Sequence, residues 1–160
     1  MGKNDYPVTP AIRELRKHQI QFEPFIYEYE DKGGTAQTAE ALNVPEHNVI
    51  KTLVVEDDTA ETFIILMHGD KEVSMKELAR QKGVKKVEPA AAANAMKATG
   101  YQFGGTSPFG TKKKMDVFAE KTIFNLDKVY INGGKRGFII AIDSSDLKKV
   151  FEINEVEVGI

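Results

Sequence analysis

Short apolar runs alternate with polar stretches along the chain, and the spacing of the apolar positions changes from one run to the next. Between Thr9 and His18, Ile12 and Leu15 share a face at helical spacing. Thr9 is placed to cap this helix and Pro10 suits its first turn. Phe22 to Tyr29 reads as an aromatic-rich strand, and Pro24 points to an edge position. Gly33-Gly34 is a turn, and a short helix capped by Thr35 follows it and stops before Pro45. Val49–Val55 and Thr62–Met67 are β-rich, with Asp57-Asp58 between them, which predicts an antiparallel hairpin. Ser74 and Glu77 have capping-box spacing and open a helix that Gly83 ends. An alanine-rich helix from Pro89 to Thr99 ends at Gly100. Strands recur near Asp116–Ala119, Lys128–Asn132 and Phe138–Ile142, before a helix near Ser145–Phe151 and a tail strand. The expected fold is mixed α/β, with a curved, largely antiparallel, barrel-like sheet surrounded by helices.

With 160 residues and no repeat, low-complexity tract or Pro/Ser-rich linker, a single domain spanning 1–160 is expected. No apolar run approaches the length of a membrane span. The opening MGKNDYPVTP has no apolar core of the kind a secretory signal needs. A cytoplasmic protein with no membrane partner is the expectation. There is no cysteine, which excludes disulfides, thiolate metal sites and a cysteine nucleophile. The three histidines are scattered and no HExxH occurs, so neither a metal nor another cofactor is expected. His18 and His47 read as surface residues, and His68 ends a strand.

Charge is unevenly spread. Residues 1–70 carry 6 Lys and Arg against 13 Asp and Glu, a balance of −7. Residues 71–160 carry 16 against 11, a balance of +5. The second half is therefore the better place for a polyanion to dock, unless the folded surface mixes the two halves.

Two glycine-and-cation segments lie in that half. The first, GGTSPFGTKKK, runs from Gly104 through Ser107 to Lys112, Lys113 and Lys114. Exposed amides there suit a phosphate or a developing oxyanion, although a wide turn between helix and strand explains the glycines equally well. It matches neither a Walker loop nor a dinucleotide fingerprint. The second, Gly133-Gly134-Lys135-Arg136-Gly137, is an ordinary hairpin device on its own. If the two converge, they make an anion cradle. Lys51 interrupts the apolar run Val49–Val55 and needs an anionic partner if its face is interior. Ser107 lacks a GxSxG elbow, which disfavours a serine nucleophile.

Four segments together carry a resemblance. They are Ile50-Lys51-Thr52-Leu53, Thr99-Gly100-Tyr101, Gly104–Gly110 and Val129–Gly137. This set resembles the YbaK/EbsC family, the Cys-tRNA(Pro) deacylases related to the editing domain of bacterial prolyl-tRNA synthetases. Thr9-Pro10-Ala11 and the segment Phe22 to Glu28 are also similar, so the likeness covers essentially the whole chain.

The resemblance implies trans-editing: hydrolysis of cysteine mischarged onto proline tRNA, by a hydrolase or lyase acting on the aminoacyl ester. It implies Lys51 as the required lysine, with Gly104 and Gly105 supplying an oxyanion site. Tyr27, Thr52, Ser107, Asn132, Gly133, Gly134, Lys135 and Arg136 would bind substrate. No protein side chain would act as nucleophile, because the substrate's thiol or the terminal ribose hydroxyl does that work. Lys112 to Lys114, Lys135 and Arg136 would meet RNA phosphates. The partners implied are aminoacyl-tRNA, Cys-tRNA(Pro) above all, and a prolyl-tRNA synthetase that presents it.

Three departures from the enteric members bear on pocket shape. Asn132 replaces a serine, Ile139 replaces an aspartate, and Gly33-Gly34 replaces an aromatic. They open the way to another small amino acid such as alanine. Two rival readings are a non-catalytic module that binds tRNA or a synthetase, and a hydrolase for small phosphorylated or acyl compounds.

Overall fold

The computed structural model describes residues 5–160. The first four residues, MGKN, part of the segment read for a secretory signal, lie outside the described range. Five α-helices and eight strands are present among the described residues.

Helix α1 (Pro10–Lys17) starts as its sequence predicts, with the Thr9 hydroxyl accepting from Ile12 N. Its face of Ala11, Ile12 and Leu15 is fully buried. Strand β1 (Glu23–Ile26) is an edge strand that pairs only with β7, where Pro24 costs no ladder hydrogen bond. Helix α2 (Gly34–Leu42) has Gly33 as its N-cap, not Thr35. The Thr35 hydroxyl lies instead 2.7 Å from the Glu46 carboxylate and 3.2 Å from the Gly69 carbonyl, so it joins two loops and caps nothing.

Strands β2 (Val49–Asp57) and β3 (Thr62–His68) form the expected antiparallel hairpin. Asp57 closes the turn by accepting from Thr59 N, the Thr59 hydroxyl and Glu61 N. These bonds hold its carboxyl below its ordinary pKa, the Thr59 hydroxyl contributing most. In α3 (Met75–Lys82), Ser74 caps through Glu77 N. Glu77 itself turns to Arg80 at 2.7 Å.

Pro89, expected to open the alanine-rich helix, ends strand β4 (Val87–Pro89), which pairs with Val55–Asp57 of β2. Helix α4 (Ala92–Thr99) starts only after it. Strands β5 (Val117–Glu120), β6 (Lys128–Lys135), β7 (Phe138–Asp143) and β8 (Ile153–Val156) complete the sheet, with the short helix α5 (Leu147–Val150) before the last.

The order is β1-β7-β6-β2-β3-β5-β8, with β4 on β2. Four of the seven pairings are antiparallel. The other three, β2–β6, β3–β5 and β5–β8, are parallel. Strand β3 is buried along its whole length because both faces are covered. Ile64 and Leu66 pack with α1, β6 and β7 on one side. Phe63, Ile65 and Met67 pack with α3 and β8 on the other.

Candidate active site

The sheet has a gap, and the gap makes a cavity. On the side of β2 away from β3, the parallel pairing with β6 lasts only through Val49↔Tyr130 and Ile50↔Ile131. Strand β4 takes over that edge at Val55. Between them Lys51, Thr52 and Leu53 have no strand neighbour, and β6 bends away through a bulge between Asn132 and Lys135. A cavity of about 620 Å³ occupies the gap. Its walls include Tyr27 and Tyr29, Gly33 to Ala36 at the start of α2, Gly69 and Glu72 after β3, Phe103, Gly104 and Thr106, and Asn132 and Ile139. Five consecutive β2 residues, Val49 to Leu53, line the cavity, so strand edge as well as strand face is exposed to it.

Lys51 is largely covered, with 19% of its side chain exposed, and it pairs with an exposed carboxylate. That partner is Glu72, whose Oε1 lies 3.7 Å from Lys51 Nζ. The neighbouring Thr52 hydroxyl is buried with no hydrogen-bond partner. It is the one such side-chain atom among the described residues, and an orphan polar atom in a cavity wall is an unfilled contact for a ligand. The Tyr27 hydroxyl lies 2.7 Å from Thr38 Oγ1, which donates onward to the Gly34 carbonyl. Ile139, 3% exposed, sits opposite Asn132 and Phe25 and makes an apolar wall. A side chain placed on Gly34 would touch nothing within 4 Å, so the cavity is roomy there.

The two glycine-rich segments do meet. A Cβ on Gly105 would stand 2.8 Å from Arg136 N and 3.0 Å from Lys135 C, so the backbones are in direct contact. Arg136 Nε donates to the Phe103 carbonyl at 2.8 Å, and Asn132 Nδ2 to the Gly104 carbonyl at 3.3 Å. Tyr101 locks the junction: its ring packs on Gly134 and its hydroxyl donates to the Phe109 carbonyl at 2.6 Å. Burial pushes the Tyr101 phenol up to about 12.

Their amides differ. Gly134 N and Lys135 N both donate to Asn132 Oδ1, at 2.7 and 3.1 Å. Gly105 N donates to the Gln102 carbonyl at 2.9 Å. Gly104 N has no acceptor among the described residues, and Gly104 lines the cavity with φ +85°. Of the two amides expected to form an oxyanion site, that of Gly105 is occupied and that of Gly104 is not.

Several expected site residues lie elsewhere. Ser107 is fully buried, and its hydroxyl accepts from Phe109 N to shape the turn. Gly133, Gly134, Lys135 and Arg136 do not line the cavity; they buttress the loop that does. Lys112 and Lys114 face a separate groove of about 760 Å³, beside Lys17, Glu14, Asp116 and Glu152. There Lys112 N and Lys113 N pair with the Thr99 and Ala98 carbonyls at the end of α4.

Sequence reasoning also missed a support beneath the site. His68 is completely buried, with Nδ1 2.8 Å from the His47 carbonyl and Nε2 2.7 Å from the Thr122 hydroxyl. A carbonyl only accepts, so Nδ1 carries the proton and Nε2 accepts. Burial holds this imidazole's pKa below the ordinary value, in keeping with its neutral form. The His47 ring stacks on it at 3.7 Å and binds Asp70 at 2.9 Å. Together they pin the turn that brings Glu46 to the cavity. No group of three or more potential metal-ligating side chains occurs among the described residues. No helix among them is long and apolar enough to cross a membrane.

Comparison with known proteins places the chain. Residues 30–150 match the model of the aminoacyl-tRNA editing domain family, and the chain belongs to that family. A protein of Enterococcus faecalis, EbsC, described provisionally as a Cys-tRNA(Pro)/Cys-tRNA(Cys) deacylase, is 28% identical over 84% of this chain and 82% of its own. Among solved structures, hypothetical protein APE2540 superposes with a TM-score of 0.87 at 20% identity, over 95% of this chain and all of that one. A protein described provisionally as a trans-editing enzyme for prolyl tRNA synthetase gives 0.82 at 14% identity, over 96% and 99% of the two chains. At these identities the two structures establish the fold alone. Tyr27 and Tyr29 precede the matched segment, and both line the cavity.

Proposed function

We propose that this editing domain deacylates mischarged tRNA in trans, with Cys-tRNA(Pro) as its substrate. The observation that carries the reading is the cavity wall at Lys51-Thr52. A largely covered lysine and an orphan hydroxyl stand side by side on β2, where its edge away from β3 has no strand neighbour. They share the cavity with the open Gly104 amide. Among the described residues no Ser, Cys or His lines the cavity, and the reading needs no protein nucleophile.

Donors alone suffice for an aminoacyl ester, which is already activated and carries its own nucleophile. The cysteine thiol sulfur attacks the ester carbonyl carbon, and the bond from that carbon to the ribose oxygen breaks. The thiol proton passes to that oxygen. The products are tRNA with a free hydroxyl and a strained cyclic thioester, which water opens to cysteine. Lys51 and Gly104 N face the oxygen on which charge develops, and Thr52 orients the ester. Proline has no thiol and is spared. Alanine has none either, so its removal needs the terminal ribose hydroxyl or water. A cytoplasmic location and presentation of the substrate by a prolyl-tRNA synthetase both fit this reading.

The test is deacylation of Cys-tRNA(Pro), Ala-tRNA(Pro) and Pro-tRNA(Pro) by the wild type and Lys51→Ala. Fast loss of the cysteinyl ester is expected, with a fall of about a hundredfold or more in the variant. Preferential loss of alanine would instead assign a neighbouring specificity, governed by the apolar Ile139 wall and the open space at Gly34. That apolar wall also motivates a second reading, a module that binds tRNA without hydrolysing it. Unchanged half-lives for all three esters would favour that module. The small-phosphate hydrolase loses its motive, because the Gly134 and Lys135 amides are already occupied by Asn132.

A further inference from the structure

Phe103 has no part in the chemistry above. Its side chain is 71% exposed, and it is the one aromatic among the exposed large hydrophobic residues described. It nonetheless stands at the cavity wall, on a loop held in place. Its carbonyl receives Arg136 Nε, and that guanidinium lies 5.2 Å from the Tyr29 ring centroid. The following residue, Gly104, runs so close to the Tyr29 hydroxyl that a Cβ there would stand 2.5 Å from it. The result is a flat apolar face presented on a tethered backbone, next to a guanidinium, where a donor-lined cavity opens. An exposed phenyl ring costs solvation and gains nothing in the free protein. An aromatic face paired with a cation is the arrangement that takes a nucleobase by stacking and its phosphate by charge.

We propose that Phe103 and Arg136 form a stacking subsite for the 3′-terminal nucleobase of the RNA. The ester on the adjoining ribose then reaches Lys51 and Thr52. Stacking reads the face of a base and not its edge, so this subsite is indifferent to tRNA identity. Discrimination is left to the acyl cavity and to whatever presents the tRNA. The inference rests on the deacylase reading, and its test is separable from it because the ligand is uncharged RNA.

The experiment titrates the trinucleotide CCA, and the same trinucleotide with an abasic terminal ribose, into wild type, Phe103→Ala and Phe103→Trp. Calorimetry gives affinity and ring proton shifts give the place of contact. Loss of one stacked base predicts CCA binding weakened on the order of tenfold in Phe103→Ala. Phe103→Trp should bind as tightly as wild type, and the abasic ligand should bind all three proteins alike. Equal CCA affinity for wild type and Phe103→Ala overturns the subsite. So does an equal loss for the abasic ligand, which would show loop damage, and so does the absence of saturable CCA binding by the wild type. Normal CCA binding by Phe103→Ala, with lost binding to a prolyl-tRNA synthetase, overturns it in favour of protein docking. Phe103-dependent binding without hydrolysis of any ester would remove the deacylase reading and leave the subsite standing.

Discussion

The two glycine-rich turns are alike in composition and touch each other, yet their backbone amides are occupied differently. In the turn at 132–137, the Asn132 side chain takes two amides and Thr9 donates to the Gly133 carbonyl, so the turn is closed on itself. In the turn at 102–110, Gly104 N makes no hydrogen bond among the described residues, and Gly104 lines the cavity. Glycine content marks where backbone can approach backbone. It does not tell which amide is free, since that depends on whether a nearby side chain supplies an acceptor. The first turn is scaffold and the second is the surface it supports.

The largest effect on this pairing is expected from Gly105→Ala. Its Cβ would collide with Arg136 and Lys135 backbone atoms, which cannot step aside as a side chain tip can. A loss of about 2–3 kcal/mol in urea unfolding is expected, with deacylation impaired. A variant as stable as wild type would mean that the loops do not bear on each other. Asn132→Ala comes next. It leaves two amides and the Gly104 carbonyl short of their partner, for about 1–2 kcal/mol, and moves the open amide. If activity persists unchanged while stability falls, the closed turn does not position the other. Thr52→Val is the smallest in stability and the most telling. A hydroxyl with no partner can be removed at a cost of ~0.5 kcal/mol or less. Turnover should still fall about tenfold, the value of one lost hydrogen bond to the substrate. A variant that is destabilised but fully active would reverse the assignment.

Much of this was legible in the chain. Thr9 as a cap, the β2–β3 hairpin, Ser74 as a cap and Gly83 as a stop are local devices, set by residues within a few positions of one another. What escaped the sequence is non-local or too short to show a period. Strand β4 has three residues and ends in a proline. The three parallel pairings join segments far apart in sequence, and no local pattern encodes them. Thr35 looked like a cap because threonine often is one, but the helix begins before it at Gly34, and its hydroxyl donates to Glu46. Lys51 showed itself through one charge in an apolar run, whereas its partner Glu72 could not be foreseen. The lysines at 112 and 114 were read as one basic face with Arg136, and the fold sends them to a different groove.

The cavity opens where the sheet parts, between strand residues and the loops around them, and this bears on how such a domain can diverge. Ile50 and Ile139 line the cavity while belonging to strands whose neighbours build the core. Altering them to admit a new acyl group disturbs the packing that keeps the protein folded. The rim at Gly34 lies outside that packing, with open space beyond it. A side chain at Gly34 would meet no neighbour but would carry the strain of its φ of +60°, and one at Gly33 would displace Gln37, so that rim changes at the cost of local backbone strain and not of core packing.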